Sequence, residues 1–138
     1  SELRSLAYYG YLFAGDEKGA TIVSHLYHTI GPKTPSLRRV SWAGAVRNEG
    51  QFAQMMQLLT EETEKANPDA DARFGTRRDH LVYALCADRD RLKTETLLSI
   101  LIKEPQFTAR DVVMGFTAMV RDFDDCHDGA RFIFTVGH

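Results

Sequence analysis

The sequence has no long apolar run: nothing in it approaches the ~18 consecutive apolar residues of a membrane-crossing helix, so no membrane contact is expected from this segment. Cysteine is scarce. Cys86 and Cys126 stand 40 residues apart, which gives no disulfide framework and reads as two buried thiols. No sign of charge dominates, because 17 Lys and Arg face 19 Asp and Glu for a net charge of −2. With no cluster of basic residues, a nucleic-acid interface is excluded as the main function. Neither Asn48 nor Asn67 lies in a glycosylation sequon. The His-Glu-x-x-His pattern of zinc proteases is absent. His25 and His28 lie three apart on one helix, but no third ligand sits at a matching offset, so neither metal nor cofactor is expected in this chain. Arg121 and His127 match the loose Arg/His spacing of helical ribonucleases, a spacing too common to carry a catalytic assignment.

What is present is the period of a helix. Hydrophobic residues make up 43% and charged residues 26% of 138, the balance of one globular domain able to bury its own core. The central stretch Thr34–Leu59 places apolar or small residues at Leu37, Val40, Ser41 and Gly44, then at Phe52, Met55, Met56 and Leu59. This is the i, i+3, i+4, i+7 stripe of two helices. The break between them, Arg47-Asn48-Glu49-Gly50, is short enough to turn the second helix back on the first. Thr34 is expected to cap the first helix and Pro35 to occupy its first position, where a missing N–H costs nothing.

The same unit recurs. Stripes begin near Glu2, Pro35, Thr76 and Thr108, a repeat of roughly 32–41 residues in the range of α-solenoids. The tetratricopeptide and ankyrin signatures are missing. The expected fold is therefore all-α, an α-solenoid of about four antiparallel helix pairs of the HEAT or armadillo kind, forming a single domain over residues 1–138.

In chain order the expected helices are Glu2–Ala14, with Leu3, Leu6, Ala7 and Phe13 inward, and Glu17–Ile30 after the Gly15-Asp16 turn. The central pair follows, its second helix reaching Ala66, and then a Pro- and Asp-rich break over 67–72. Thr76–Ala87 presents Leu81, Val82 and Leu85, and Asp90–Lys103 presents Leu97, Leu98, Leu101 and Ile102 before Glu104-Pro105 ends it. The seventh helix opens at Thr108-Ala-Arg-Asp111, a capping pattern, and runs on through Val112, Val113, Phe116, Met119, Val120 and Phe123. An eighth is expected over about Asp125–Val136. Leu81 and Leu85 are expected to face Phe116 and Val120 across adjacent repeats.

Three segments, LRRVSWAGAVRNEG (37–50), RRDHLVYALCADRDRL (77–92) and FTARDVVMGFTAMVRDFDD with FIF (107–134), resemble the C-terminal helical domain of zinc aminopeptidases of the aminopeptidase N, puromycin-sensitive and endoplasmic-reticulum type. The opening residues 3–27 are similar to the helical pair that precedes these motifs in that family. Arg110, Trp42 and Phe132 depart from the usual glutamine, tyrosine and tryptophan. The resemblance implies a fragment of a larger non-catalytic domain, with zinc and the catalytic residues in upstream domains of a parent enzyme, which would be one partner, and peptide substrates as the other.

In a solenoid, polar residues on the inner helices form a track for an extended peptide. Arg39, Arg47, Arg78, His80 and Arg110 are the candidates, since they lie off the apolar stripes and a guanidinium can hold a carboxylate in a fork. The alternative for these side chains is pairing with Asp79, Asp88 or Asp111 between repeats. The alternative for the whole chain is a stand-alone helical scaffold that binds a protein partner on its concave face.

Overall fold

The computed structural model describes residues 2–64 and 75–125, and every regular element among them is helical. The order is α1 (Glu2–Phe13), α2 (Glu17–His28), a 3₁₀ turn (Gly31–Lys33), α3 (Pro35–Glu49), α4 (Phe52–Thr63), α5 (Arg77–Cys86), α6 (Arg91–Lys103) and α7 (Ala109–Asp125). The expected eighth helix and the break at 67–72 lie outside the described residues.

Local chemistry sets the boundaries. Asp16 accepts from the Gly19 amide at 2.7 Å and starts α2, after Gly15 has turned the chain at φ 77°. Gly50, left-handed at φ 66°, ends α3, and both its amide and that of Gln51 return to the Ala45 carbonyl. The helix therefore runs through Arg47-Asn48-Glu49, where a break was expected. Thr34 does not cap α3 through its side chain. Its hydroxyl donates instead to the Ile30 carbonyl at 2.9 Å, closing the 3₁₀ turn ahead of the helix. Thr76 and Asp79 make a reciprocal capping box at α5, and Asp90 accepts from Leu92 and Lys93 at α6.

The helices form two layers. Each consecutive pair is in contact, and the odd-numbered helices also pack side by side as α1 on α3, α3 on α5 and α5 on α7, while α2, α4 and α6 lie outside them. The odd row curls until α7 meets α1, where the Arg121 guanidinium rests on the rings of Tyr9 and Phe13. This curl places α3 and α5 at the centre. Every residue from Val40 to Arg47 and from Asp79 to Ala87 is buried, so neither helix is the one-sided stripe its apolar spacing suggests.

Peripheral helices bury narrower faces than expected. In α1 the buried residues are Tyr9, Leu12 and Phe13, whereas Leu3 is 80% and Leu6 53% exposed; among the described elements α2, α3 and α7 pack on this helix. In α6, Leu97 and Leu101 are buried while Ile102 faces outward. In α7 the inward residues are Asp111, Gly115, Ala118 and Met119, and Phe116 is 56% exposed. The expected facing of Phe116 onto Leu81 and Leu85 does not occur. The reason is close approach: a Cβ on Gly115 would stand 3.0 Å from the Cys86 sulfur, so small residues line the contact and the large ones fall on the other side.

Gly44 marks a tighter approach between α3 and α2. A Cβ there would lie 2.2 Å from Val23 Cγ1, and Val23 is fully buried with a β-branched side chain that has little rotamer freedom. Alanine is the better helix former by about 1 kcal/mol, yet overpacking a filled core costs about 1–3 kcal/mol. Gly44→Ala is therefore expected to lower stability in urea unfolding. A gain would mean that α2 slides freely on α3.

Candidate functional site

The odd helices bring their charged side chains together in three places. At the N-terminal ends of α5 and α7 the two helices exchange ion pairs: Arg78 of α5 grips Asp111 of α7 (Nη2–Oδ2 2.6 Å, Nε–Oδ1 3.1 Å), and Arg110 of α7 grips Asp79 of α5 (Nη2–Oδ2 2.8 Å, Nε–Oδ1 3.0 Å). Both acids are also the third residue of their own helix and accept from the cap amides of Thr76 and Thr108. The pattern Thr-x-Arg-Asp, at 76–79 and again at 108–111, is the sequence form of this exchange. Each carboxylate is 2% exposed and is held by a guanidinium fork and a backbone donor at once.

Burial pushes the Asp79 carboxyl up, but the Arg110 bonds and the Thr76 donors outweigh it and leave the group below the usual carboxylate range. The same bonds hold Arg110 above its ordinary value. A carboxyl with a depressed folded pKa binds its proton less readily folded than unfolded, where the value is roughly 3.9. Its stabilisation is complete above that pH and is lost as the pH falls through the folded value. Asp79→Asn should therefore flatten the acid limb of a stability–pH curve measured by urea unfolding below about pH 4. An unchanged limb would show that Asp79 does not titrate with unfolding.

The second place lies beside the first. His80 is buried and accepts at Nδ1 from Arg38 Nε (2.8 Å), an arrangement that assigns its proton to Nε2. Arg38 and Arg77 stand over the Trp42 ring at 5.6 and 5.3 Å, and Arg77 pairs with Glu62. Farther along α3, Arg47 is buried, donates to the Ala87 carbonyl at 3.1 Å and covers the Phe13 ring. Arg89 closes that end, bonding the Arg47 carbonyl and the Asn48 side chain.

The third place is where all four odd helices converge. Tyr9 of α1 and Tyr83 of α5 meet edge to face with centroids 5.8 Å apart. Arg39 of α3 lies over both rings, 4.4 Å from the Tyr83 centroid and 5.1 Å from that of Tyr9, and its Nε donates to the Tyr9 hydroxyl. Arg121 of α7 stands 4.5 Å from the Tyr9 centroid. Burial pushes the Tyr9 phenol above its usual range, and the two arginines beside it pull it back only in part.

The five candidate residues thus do not share one site. Arg78 and Arg110 are engaged by acids, His80 and Arg47 are buried against other partners, and Arg39 is half-buried, held on two tyrosine rings and without an acid partner among the described residues. Eight residues of helix separate Arg39 from Arg47, roughly 12 Å along α3. Tyr83 and Arg121, which complete the third cluster, were not among the candidates. Tyr83 sits within an apolar run, and the odd-helix curl that brings Arg121 to α1 has no local signature.

His28 pairs with Glu49 at 2.6 Å, and among the described residues no three His, Cys, Asp or Glu side chains gather as metal ligands. Burial pushes the Cys86 thiol up to about 12. No described helix is long and apolar enough to cross a membrane. No protein-family model, curated protein or solved structure matches the chain.

Proposed function

We propose that this chain is part of a non-catalytic α-solenoid domain of a zinc aminopeptidase, and that its inner helices contact the part of a peptide substrate remote from the cleaved bond. The resemblance over residues 37–50, 77–92 and 107–134 supports the reading, and the first two segments are the central helices α3 and α5. The two layers, with odd helices side by side and even helices outside them, support a superhelical-repeat reading. The sequence carries no His-Glu-x-x-His motif, so in this reading the zinc and the chemistry it supplies belong to other domains of the parent. One observation carries the peptide contact: Arg39, on an inner helix, has a fixed guanidinium and no acid partner among the described residues.

The test is Arg39→Ala in the parent enzyme, comparing cleavage of long peptides with that of a single-residue chromogenic substrate. Long peptides should lose more kcat/KM. Equal losses on both substrates would assign Arg39 to structure. A second reading, a scaffold for a protein partner, draws on the apolar groove between α4 and α6 lined by Phe52, Met56, Leu92, Leu97 and Ile100. An open reading frame confined to this domain would favour it over the peptidase.

A further inference from the structure

We propose that the Arg39–Tyr9 cluster, at the convergence of α1, α3, α5 and α7, is a receptor for a carboxylate group. The neighbouring arginines supply the contrast. Arg77, Arg78 and Arg110 each have a carboxylate within 2.9 Å, from Glu62, Asp111 and Asp79. Arg39 has a phenol where they have an acid. Of the five N–H groups on a guanidinium it uses the one on Nε, which leaves both terminal nitrogens without an acceptor among the described residues. Those nitrogens carry the parallel N–H pair that a carboxylate accepts through both oxygens.

Three further features make the position a receptor rather than an idle surface arginine. The rings of Tyr9 and Tyr83, 3% and 0% exposed, hold the guanidinium plane in place, so little side-chain freedom is lost when a ligand arrives. Arg121 stands 4.5 Å from the Tyr9 ring centroid, and among the described residues the charged groups acting on the Tyr9 phenol are these two arginines. The Tyr9 oxygen accepts from Arg39, which frees its own hydrogen to donate to an incoming oxygen. The rings also exclude water from one face of the ion pair, which strengthens it relative to a fully solvated one.

The ligand's origin in a peptide rests on the function proposed above, whereas the carboxylate chemistry does not. Two sources offer the same group, a peptide's C-terminus and an Asp or Glu side chain. The chain, labelled with ¹⁵N, would be titrated with an N-acetylated tripeptide ending in a free carboxylate, with its C-terminal amide, and with an amidated peptide carrying one internal glutamate. The Arg39 Nε–H signal is expected to move with the free acid, which should bind at least about tenfold more tightly than the amide. Arg39→Met, which keeps the stacking bulk, should erase that difference, while Arg39→Lys should retain part of it and Arg89→Ala all of it. A response to the internal glutamate equal to that of the free acid would assign the receptor to acidic side chains, and a weaker one to C-termini. An Arg39 signal unmoved by either carboxylate, in a chain whose melting temperature is unchanged, would overturn the proposal. Because binding is read on this chain alone, its failure is distinct from failure of the aminopeptidase reading, which activity of the parent decides.

Discussion

Leu85→Ala is expected to lower the stability of the chain by about 2–5 kcal/mol, while Phe116→Ala costs less than about 1 kcal/mol. Both side chains lie on apolar stripes, but Leu85 is fully buried in α5 and Phe116 is 56% exposed on α7. Truncating Leu85 opens a cavity between helices that cannot collapse, because α5 has α3, α4, α6 and α7 around it. Truncating Phe116 removes contacts from one side only. Urea unfolding of the two variants checks the contrast. A loss above about 3 kcal/mol for Phe116→Ala would place its ring in a packed interface.

The second large effect belongs to the exchanged ion pairs. Arg78→Met strands the Asp111 carboxylate, which is 2% exposed, beside a side chain that cannot neutralise it. Breaking a buried pair from one side typically costs about 3–5 kcal/mol, and the donors that Asp111 keeps from Thr108 place the expectation near the lower end. Asp111→Ala should cost less, because the Arg78 side chain is 27% exposed and can turn toward water. A double-mutant cycle of Arg78 with Asp111, and another of Arg110 with Asp79, would measure each coupling. The second should be the weaker, since Arg110 is 66% exposed. Equal and negligible couplings would show that the α5–α7 contact rests on packing alone.

The helices were legible because their ends carry strong local signals. Asp16, Gly50, the Thr76–Asp79 box and Glu104-Pro105 each fix a boundary through one or two backbone groups, and such chemistry is written in neighbouring residues. Burial was less legible. An apolar stripe finds the buried face of a helix packed on one side, but α3 and α5 are enclosed all round, and α7 turns its small residues inward at Gly115 and Ala118. The candidate site was legible by residue type and, for two of its arginines, by partner. For Arg78 and Arg110 the sequence left two readings open, a peptide track or pairing with Asp79, Asp88 or Asp111 between repeats, and the fold selects the second, with Arg78 on Asp111 and Arg110 on Asp79. Arg39 has the same sequence character as both, and only the fold shows it resting on Tyr9 and Tyr83 with no carboxylate partner among the described residues.

The enclosure of α3 and α5 also sets how the backbone exchanges hydrogen with solvent. Deuterium reaches a buried amide only when the surrounding structure opens, and an opening that bares Val40–Val46 or Leu81–Cys86 must detach helices on several sides together. Those amides should exchange at the rate of whole-domain unfolding and report its full free energy. The first turns of α1, where Leu3 and Leu6 project into water, should exchange through fraying that never disturbs the centre. A ligand drawn to the junction of α1, α3, α5 and α7 would slow labelling at Tyr9 and leave the α3 interior at its existing limit.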